Sequence, residues 1–561
     1  MRKIFSRIFM FVLPVMLISC EEFLEEEPKD RLVSENFFLT TGDIEIAMHT
    51  VYGEASYTFS RAHIIAVTLG SDELLSTDNL GNKADFQELD LFMRNGSNTR
   101  RFRRVWNGCY SGIKQSHFVM ENVDKANVPQ EVTDLTKGQC HFIRALSYFW
   151  LTRLWGHVPL VTSSDYAQEV KMGTPEEIYD LILSDLEIAE RSLPYANWSS
   201  PDINSETMEA IPELWQNNRA LPTQGTVRSL RALVYLTMAG LPLEKGTEYY
   251  NKAAEEAKYV IDRASDFGYR LLDDYQDLWL IDNNFHEEGI LTFGYHPDGY
   301  DNDLSLSLRP IDEAFGSTAK GWNDAMVEQP FFLKFPEGYR KEVTFLTGWY
   351  TGKSGMESTW TTWDSSNRLY DNGRSDYSYK CPYIAKWRSN DGFPYDSTWN
   401  FQTKPGYRAV SVFRYAHVLL TYAEARARAD GSPDAEAYEA INMIRRRANK
   451  LPVHLPSSAD LSPGLSGIQF ADSVIAEKGW EFIGEPESRW FDLVRLNKVE
   501  STLSEIIAYR TKMRSNGELH KSILIPGDRS PVPSEIRKLN WLNYPAEEVI
   551  LNPELFEGYY Y

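Results

Sequence analysis

Three times along this chain an apolar stretch with helical period is followed by a second one, and that recurrence limits the architectures open to it. Residues 138–155, GQCHFIRALSYFWLTRLW, precede a segment that starts at Thr174-Pro175-Glu176-Glu177 and carries Ile178, Ile182, Leu186 and Ala189. Residues 225–241 precede 247–262, and 411–429 precede 434–448. In the second member of each pair an aromatic residue begins an apolar stripe: Tyr179/Ile182/Leu186, Tyr250/Ala253/Ala257 and Tyr438/Ile441/Ile444. Spacings of three and four put such side chains on one helical face. A hairpin of this kind cannot bury its stripe alone, so successive pairs must stack. Two earlier segments share the period. Gly42-Asp43 precede a helix with Ile44, Ala47, Met48 and Val51-Tyr52, and Val105 to Val123 forms another. The fold class that follows is all-α.

Small residues facing aromatic ones in paired helices resemble tetratricopeptide repeats, which wind into a superhelical scaffold. Residues 264–408 break the pattern. They hold Trp279, Trp322, Trp349, Trp360, Trp363, Trp387 and Trp399 among many Gly, Asp, Asn, Ser and Tyr. A stretch this long without helical period is expected to carry function. The expected organisation is a leader at 1–19, a linker at 20–35 and a single domain at 36–561. Within that domain the helical scaffold covers about 36–263 and 409–500, a large irregular loop-rich lobe about 264–408, and a C-terminal segment 501–561.

The leader reads as a signal peptide. Arg2, Lys3 and Arg7 precede an apolar run from Ile8 to Ile18. As a helix this run covers about 16 Å, against roughly 30 Å of bilayer hydrocarbon. It ends in Leu17-Ile18-Ser19-Cys20, which resembles a bacterial lipobox and makes Cys20 the expected lipid anchor. The acidic run Glu21 to Asp30, containing Pro28, reads as an extended tether. Cys109, Cys140 and Cys381 are odd in number and widely spaced, which argues against a disulfide framework or a CxxC zinc site and for core packing. With 58 basic and 80 acidic residues the net charge is −22, and removing Arg2, Lys3 and Arg7 with the leader takes it to −25. Such an excess argues against nucleic acid as a partner.

Six fragments, in order, resemble one family. Cys20-Glu21-Glu22-Phe23-Leu24 with Pro28, and then Phe37-Phe38 with Asp43 and Ala47 to Tyr52, are similar to its start and first helix. Arg144-Ala145-Leu146-Ser147-Tyr148-Phe149 with Gly156-His157-Val158-Pro159-Leu160 follows. Arg414-Tyr415-Ala416 through Ala425 is similar to a further motif, with His417 in place of the usual Glu. Asp472 to Phe482 with Arg489-Trp490-Phe491-Asp492-Leu493-Val494-Arg495, and Pro545 to Leu555, complete the set. These resemble the SusD/RagB outer-membrane nutrient-binding lipoproteins. Phe556-Glu557-Gly558-Tyr559 departs from the usual Gln-Asn, and 521–543 looks like an addition. The resemblance implies a tetratricopeptide-like scaffold, display on the cell exterior, and a SusC-like TonB-dependent transporter as partner. It also implies capture of oligosaccharide without catalysis.

Motifs for chemistry are missing. His286-Glu287-Glu288 lacks the second His of a zinc-binding HExxH helix, and Gly352-Lys353-Ser354 lacks the spacing of a phosphate loop. The block Glu481, Glu485, Arg489, Asp492 and Arg495 predicts salt bridges along a helix. Carbohydrate binding needs aromatic faces for the apolar C–H side of a sugar and polar groups for its hydroxyls. The candidates are Trp322, Trp349, Tyr350, Trp360 and Trp363 in the lobe, with Asn79, Asn82, Arg94 and Asn95 in an earlier loop. No cofactor is expected. Asp298, Asp301 and Asp303 form a candidate site for structural Ca²⁺. Alternatives to glycan capture are uptake of peptides or another non-sugar nutrient, and a helical glycoside hydrolase.

Overall fold

A computed structural model of the chain describes residues 37–60, 67–76, 84–91, 100–165, 170–196, 220–295, 302–310, 322–350, 357–359, 381–387, 408–518, 523–526, 528 and 540–559. The expected leader, Cys20 and tether lie outside them. Six long helices precede the lobe: α1 Thr41–Tyr57, α2 Arg100–Asn122, α3 Gln130–Trp155, α4 Pro175–Ser192, α5 Gln224–Met238 and α6 Thr247–Asp262. After it come α7 Tyr415–Asp430, α8 Ala435–Ala448, α9 Gly467–Phe482, α10 Arg489–Arg495 and α11 Val499–Ser515.

Local chemistry explains where these helices begin. Thr174 Oγ1 accepts the Glu177 amide at 3.3 Å while Glu177 Oε2 accepts the Thr174 amide at 2.8 Å, a reciprocal capping box. Thr223 with Thr226 and Ser466 with Gln469 start α5 and α9 in the same way. At α1 Gly42-Asp43 do not precede the helix. It begins at Thr41, and Asp43 closes the capping box on Thr40 from inside the first turn.

Each helix packs on its successor from α1 to α6, and α6 then packs on α7. The chain therefore leaves the stack after α6, runs through the lobe, and rejoins at the next position. The central α3 is buried on nearly every face, with Trp150 and Trp155 among the largest enclosed side chains. Cys109 and Cys140 pack in the main core, and all three described thiols are free and buried. The C-terminal segment straps back over this core. The Leu542 amide donates to the Leu154 carbonyl at 2.7 Å, and Tyr544 and Phe556 stack near Trp106.

Ten short strands are present: β1 Leu74–Leu75, β2 Val158–Leu160, β3 Lys171–Gly173, β4 Gly289–Phe293, β5 Met326–Val327, β6 Phe345–Leu346, β7 Gly348–Tyr350, β8 Glu357–Thr359, β9 Tyr383–Ile384 and β10 Val410–Arg414. Among the described residues every sheet has two strands. β4 and β10 run antiparallel, from Val410 opposite Phe293 to Arg414 opposite Gly289, so the two ends of the lobe meet at its base.

The base is fixed by buried charges, and here one expectation is corrected. The block from Glu481 to Arg495 does not bridge along one helix. α9 ends at Phe482, Gly484 takes a left-handed φ of 74°, and α10 starts only at Arg489, so the side chains aim at different elements. Glu481 meets Arg447 at 2.5 Å, Arg414 at 2.8 Å and Arg340 at 2.8 Å. Glu485 meets Arg414 and Lys386, each at 2.9 Å. Arg414 also holds Glu288 at 2.5 Å, and Arg447 reaches that same carboxylate. Arg340 meets Glu477 at 2.7 Å. Four cations thus face four carboxylates from the lobe, β10, α8, α9 and the α9–α10 turn. Burial alone would raise the Glu485 carboxyl, yet Arg414 and Lys386 hold it down at about 2. Within that block, Asp492 and Arg495, at 2.5 Å, do pair along one helix.

Candidate functional site

A small layer of strands forms above the base. β1 pairs antiparallel with β5, Leu74 opposite Val327 and Leu75 opposite Met326. The Val327 amide then donates to the Pro382 carbonyl at 2.8 Å, which brings β9 alongside. β9 in turn pairs with β6, Phe345 opposite Ile384 and Leu346 opposite Tyr383. Leu75, Met326, Leu346, Cys381, Tyr383, Ala385 and Ile523 bury one another in a core separate from the main one.

Polar contacts fix the edge of this platform. Tyr383 Oη donates to Asn323 Oδ1 at 2.6 Å, and Ser76 Oγ donates to the Asp324 carbonyl at 3.1 Å. The amides of Trp322, Asn323 and Asp324 donate to the carbonyls of Leu306, Arg309 and Ser307. One buried guanidinium ties the platform to the helices. Arg510 on α11 meets Asp90 at 2.7 Å, also binds Glu328 just after β5, and donates to the Leu524 carbonyl at 2.9 Å. One cation serving two buried carboxylates leaves them under-compensated, and burial pushes Glu328 up to about 7. Glu73, just before β1, is fully buried, and neither of its carboxylate oxygens has a hydrogen-bond partner. Burial, with Asp72 beside it, pushes Glu73 up to about 8, although Arg489 and Lys386 act against the shift.

The predicted ligand residues relate to this platform through its strands. Trp322 is half-buried and leads into β5. Trp349 and Tyr350 lie in β7, which follows β6 after one residue and pairs with β8, Trp349 opposite Ser358 and Tyr350 opposite Glu357. Asn79, Asn82, Arg94, Asn95, Trp360 and Trp363 lie outside the described residues. Their described neighbours in the chain are Ser76, which bonds to Asp324; Leu91, next to Asp90 of the Arg510 cluster; and Thr359 of β8, opposite Gly348. Asp298 and Asp301 also lie outside. Asp303 is buried, and its carbonyl accepts amides of the short helix Leu304–Ser307. Among the described residues no three metal-ligating side chains gather.

The sequence profile described as "SusD family" matches residues 313–561, and one described as "Starch-binding associating with outer membrane" matches 22–210. The chain belongs to the SusD family. A curated relative, SusD-like protein P2 of Formosa agariphila, is 27% identical over 503 residues, covering 87% of this chain and 90% of the relative. A solved SusD homolog from Bacteroides thetaiotaomicron superposes with a TM-score of 0.70 at 21% identity, covering 92% and 96% of the two chains. A structure described as a laminarin-binding SusD-like protein gives 0.64 at 20% identity, covering 91% and 97%. These structures share the all-α, helix-pair fold of this SusD-family chain.

The contacts that build the platform leave no local signal in the sequence. Arg510 and Asp90 are 420 residues apart, and Tyr383 and Asn323 are 60 apart. In the sequence nothing near Glu328 or Arg510 marks them as partners, and only the fold brings them together.

Proposed function

We propose that this chain is a surface lipoprotein that captures oligosaccharide on the β1–β5–β9–β6 platform and passes it to a SusC-like TonB-dependent transporter. Cys20 is the proposed acylation site, holding the protein on the outer face of the outer membrane. The observation that supports the reading is chain proximity to the platform: Trp322 leads into β5, β7 with Trp349 and Tyr350 follows β6 after one residue, and Asn79 comes shortly after β1, in a SusD-family fold. Aromatic rings beside amide and carboxamide groups offer the two surfaces a sugar requires. The laminarin-binding relative and the starch-binding description of the N-terminal match support a glycan ligand. The reading includes binding without chemistry: the charged block that tempts a catalytic role is engaged in buried ion pairs.

A glycan array followed by calorimetry with laminarin and starch oligosaccharides tests it, with chromatography of the recovered sugar. Binding with the oligosaccharide returned intact is expected. Losing one stacking ring, as in Trp360→Ala or Trp363→Ala, should weaken it by about 2 kcal/mol, roughly 30-fold. Cleaved product would favour a glycoside hydrolase. The net charge of −22 favours one other ligand class, cationic peptide. A peptide pool that binds where every glycan fails would replace the carbohydrate reading.

A further inference from the structure

A small cavity is built from sequence elements other than those of the platform. Of about 30 Å³, it is lined by α3, α5, α7, α9, α10 and the turn between the last two. A single water needs roughly 10–15 Å³, so there is room for one small occupant. Three polar atoms of its lining are buried and without hydrogen-bond partners: His417 Nε2, Thr421 Oγ1 and Arg495 Nη1. Their residues are 4%, 1% and 5% exposed. His417 and Thr421 are one helical turn apart on α7, and Arg495 closes α10.

Two of the three can only donate, and the third, a hydroxyl, can donate as well. His417 Nδ1 accepts the Arg414 amide at 3.1 Å, so in the neutral ring the proton sits on Nε2, which is a donor. The imidazole cannot turn away, because it stacks on Phe482 with centroids 3.6 Å apart and planes 8° from parallel. Burial, reinforced by the Arg414 cation, pushes His417 down to about 3 and keeps it neutral. Arg495 spends Nε and Nη2 on Asp492 and Glu424 and has Nη1 left to donate. The Thr421 hydroxyl rotates freely to donate as well. A water here would accept from these donors but could give its own two hydrogens only to the Thr421 oxygen or the Asp492 carboxylate, because the Glu487 carboxylate in the wall is already taken by Arg153 at 2.6 and 2.8 Å. The charged side chains of the wall, Arg153, Lys478 and Arg495 against Glu487 and Asp492, sum to one positive charge. Behind them Glu424 is balanced by Arg428 at 2.8 Å.

We propose that this cavity binds a small monovalent anion of chloride size, coordinated by His417 Nε2, Thr421 Oγ1 and Arg495 Nη1. Bound there, it joins α7 to α10 where the frame turns back under the lobe. Crystals of the full chain soaked in sodium bromide give a direct test by anomalous scattering. A single bromide peak among those three atoms is expected, and density accounted for by water alone would overturn the proposal. In solution, thermal unfolding is compared in sodium chloride and sodium gluconate at equal ionic strength. The midpoint should be higher in chloride, and each tenfold rise above the dissociation constant should raise the folding equilibrium constant about tenfold. Thr421→Val should weaken that dependence, and His417→Glu, which brings its own carboxylate, should abolish it. Equal midpoints in the two salts, or variants that keep the full chloride response, would also overturn the proposal.

Discussion

The helical frame and the lobe are held together by different physics. In the frame, neighbours in sequence are neighbours in space: α3 packs on α4, α5 on α6 and α7 on α8, each behind its own cap and apolar stripe. In the lobe, two-residue strands and buried ion pairs join segments hundreds of positions apart. Frame stability is spread over many similar contacts, whereas the lobe depends on a few that cannot be replaced one at a time.

Breaking the lobe's attachment should have the largest effect. Arg414→Ala leaves Glu288, Glu481 and Glu485 short of their shared cation, and we expect a loss of about 3–5 kcal/mol by chemical denaturation. The pH dependence should separate two classes of buried acid. The folded protein holds Glu485 near 2, below its ordinary value of 4.5, so the stability it contributes is complete above pH 4.5 and fades as pH falls toward 2. Glu73 behaves oppositely. Its folded value near 8 means the native state keeps that proton more tightly, and stability declines as pH rises from 4.5 to 8. Glu328, near 7, adds a slope of the same sign up to about pH 8, and the slope from Glu73 itself reaches at most about 1.4 kcal/mol per pH unit. Denaturation of Glu73→Gln should show that slope gone.

Perturbing the frame should cost less. Thr174→Ala removes half of the α4 capping box and should lower stability by about 1 kcal/mol in the same assay. Lys252→Ala, which breaks the exposed pair with Glu248 on α6, should leave the denaturation midpoint unchanged. If Lys252→Ala proved as damaging as Arg414→Ala, the contrast between the two regions would fail.

This contrast also explains what could be read from the sequence. The paired helices, the cap at Thr174 and the buried α3 follow from local period and end chemistry, and the lobe shows itself by the loss of that period. The boundary at Gly484 was the subtle case: charges spaced three and four apart suggested one continuous helix, while a single left-handed glycine redirects them. Glu73, Glu328 and Arg510 were silent, because a charge buried by distant segments looks in sequence like any surface charge. The likeness to SusD proteins rests on short motifs that mostly build the frame and its junction with the lobe. Strand pairing joins β1 to β5 and β6 to β9, which chain position alone could not show, while Trp322 precedes β5 and Trp349 and Tyr350 lie in the separate β7–β8 pair that follows β6 after one residue.

Hydrogen exchange of the full chain, with and without the oligosaccharide selected by calorimetry, tests the division of labour most directly. The account predicts new protection in 74–83, 322–327 and 345–363, with α3 through α6 unchanged. Protection confined to the helical frame, with those platform segments unaffected, would contradict it.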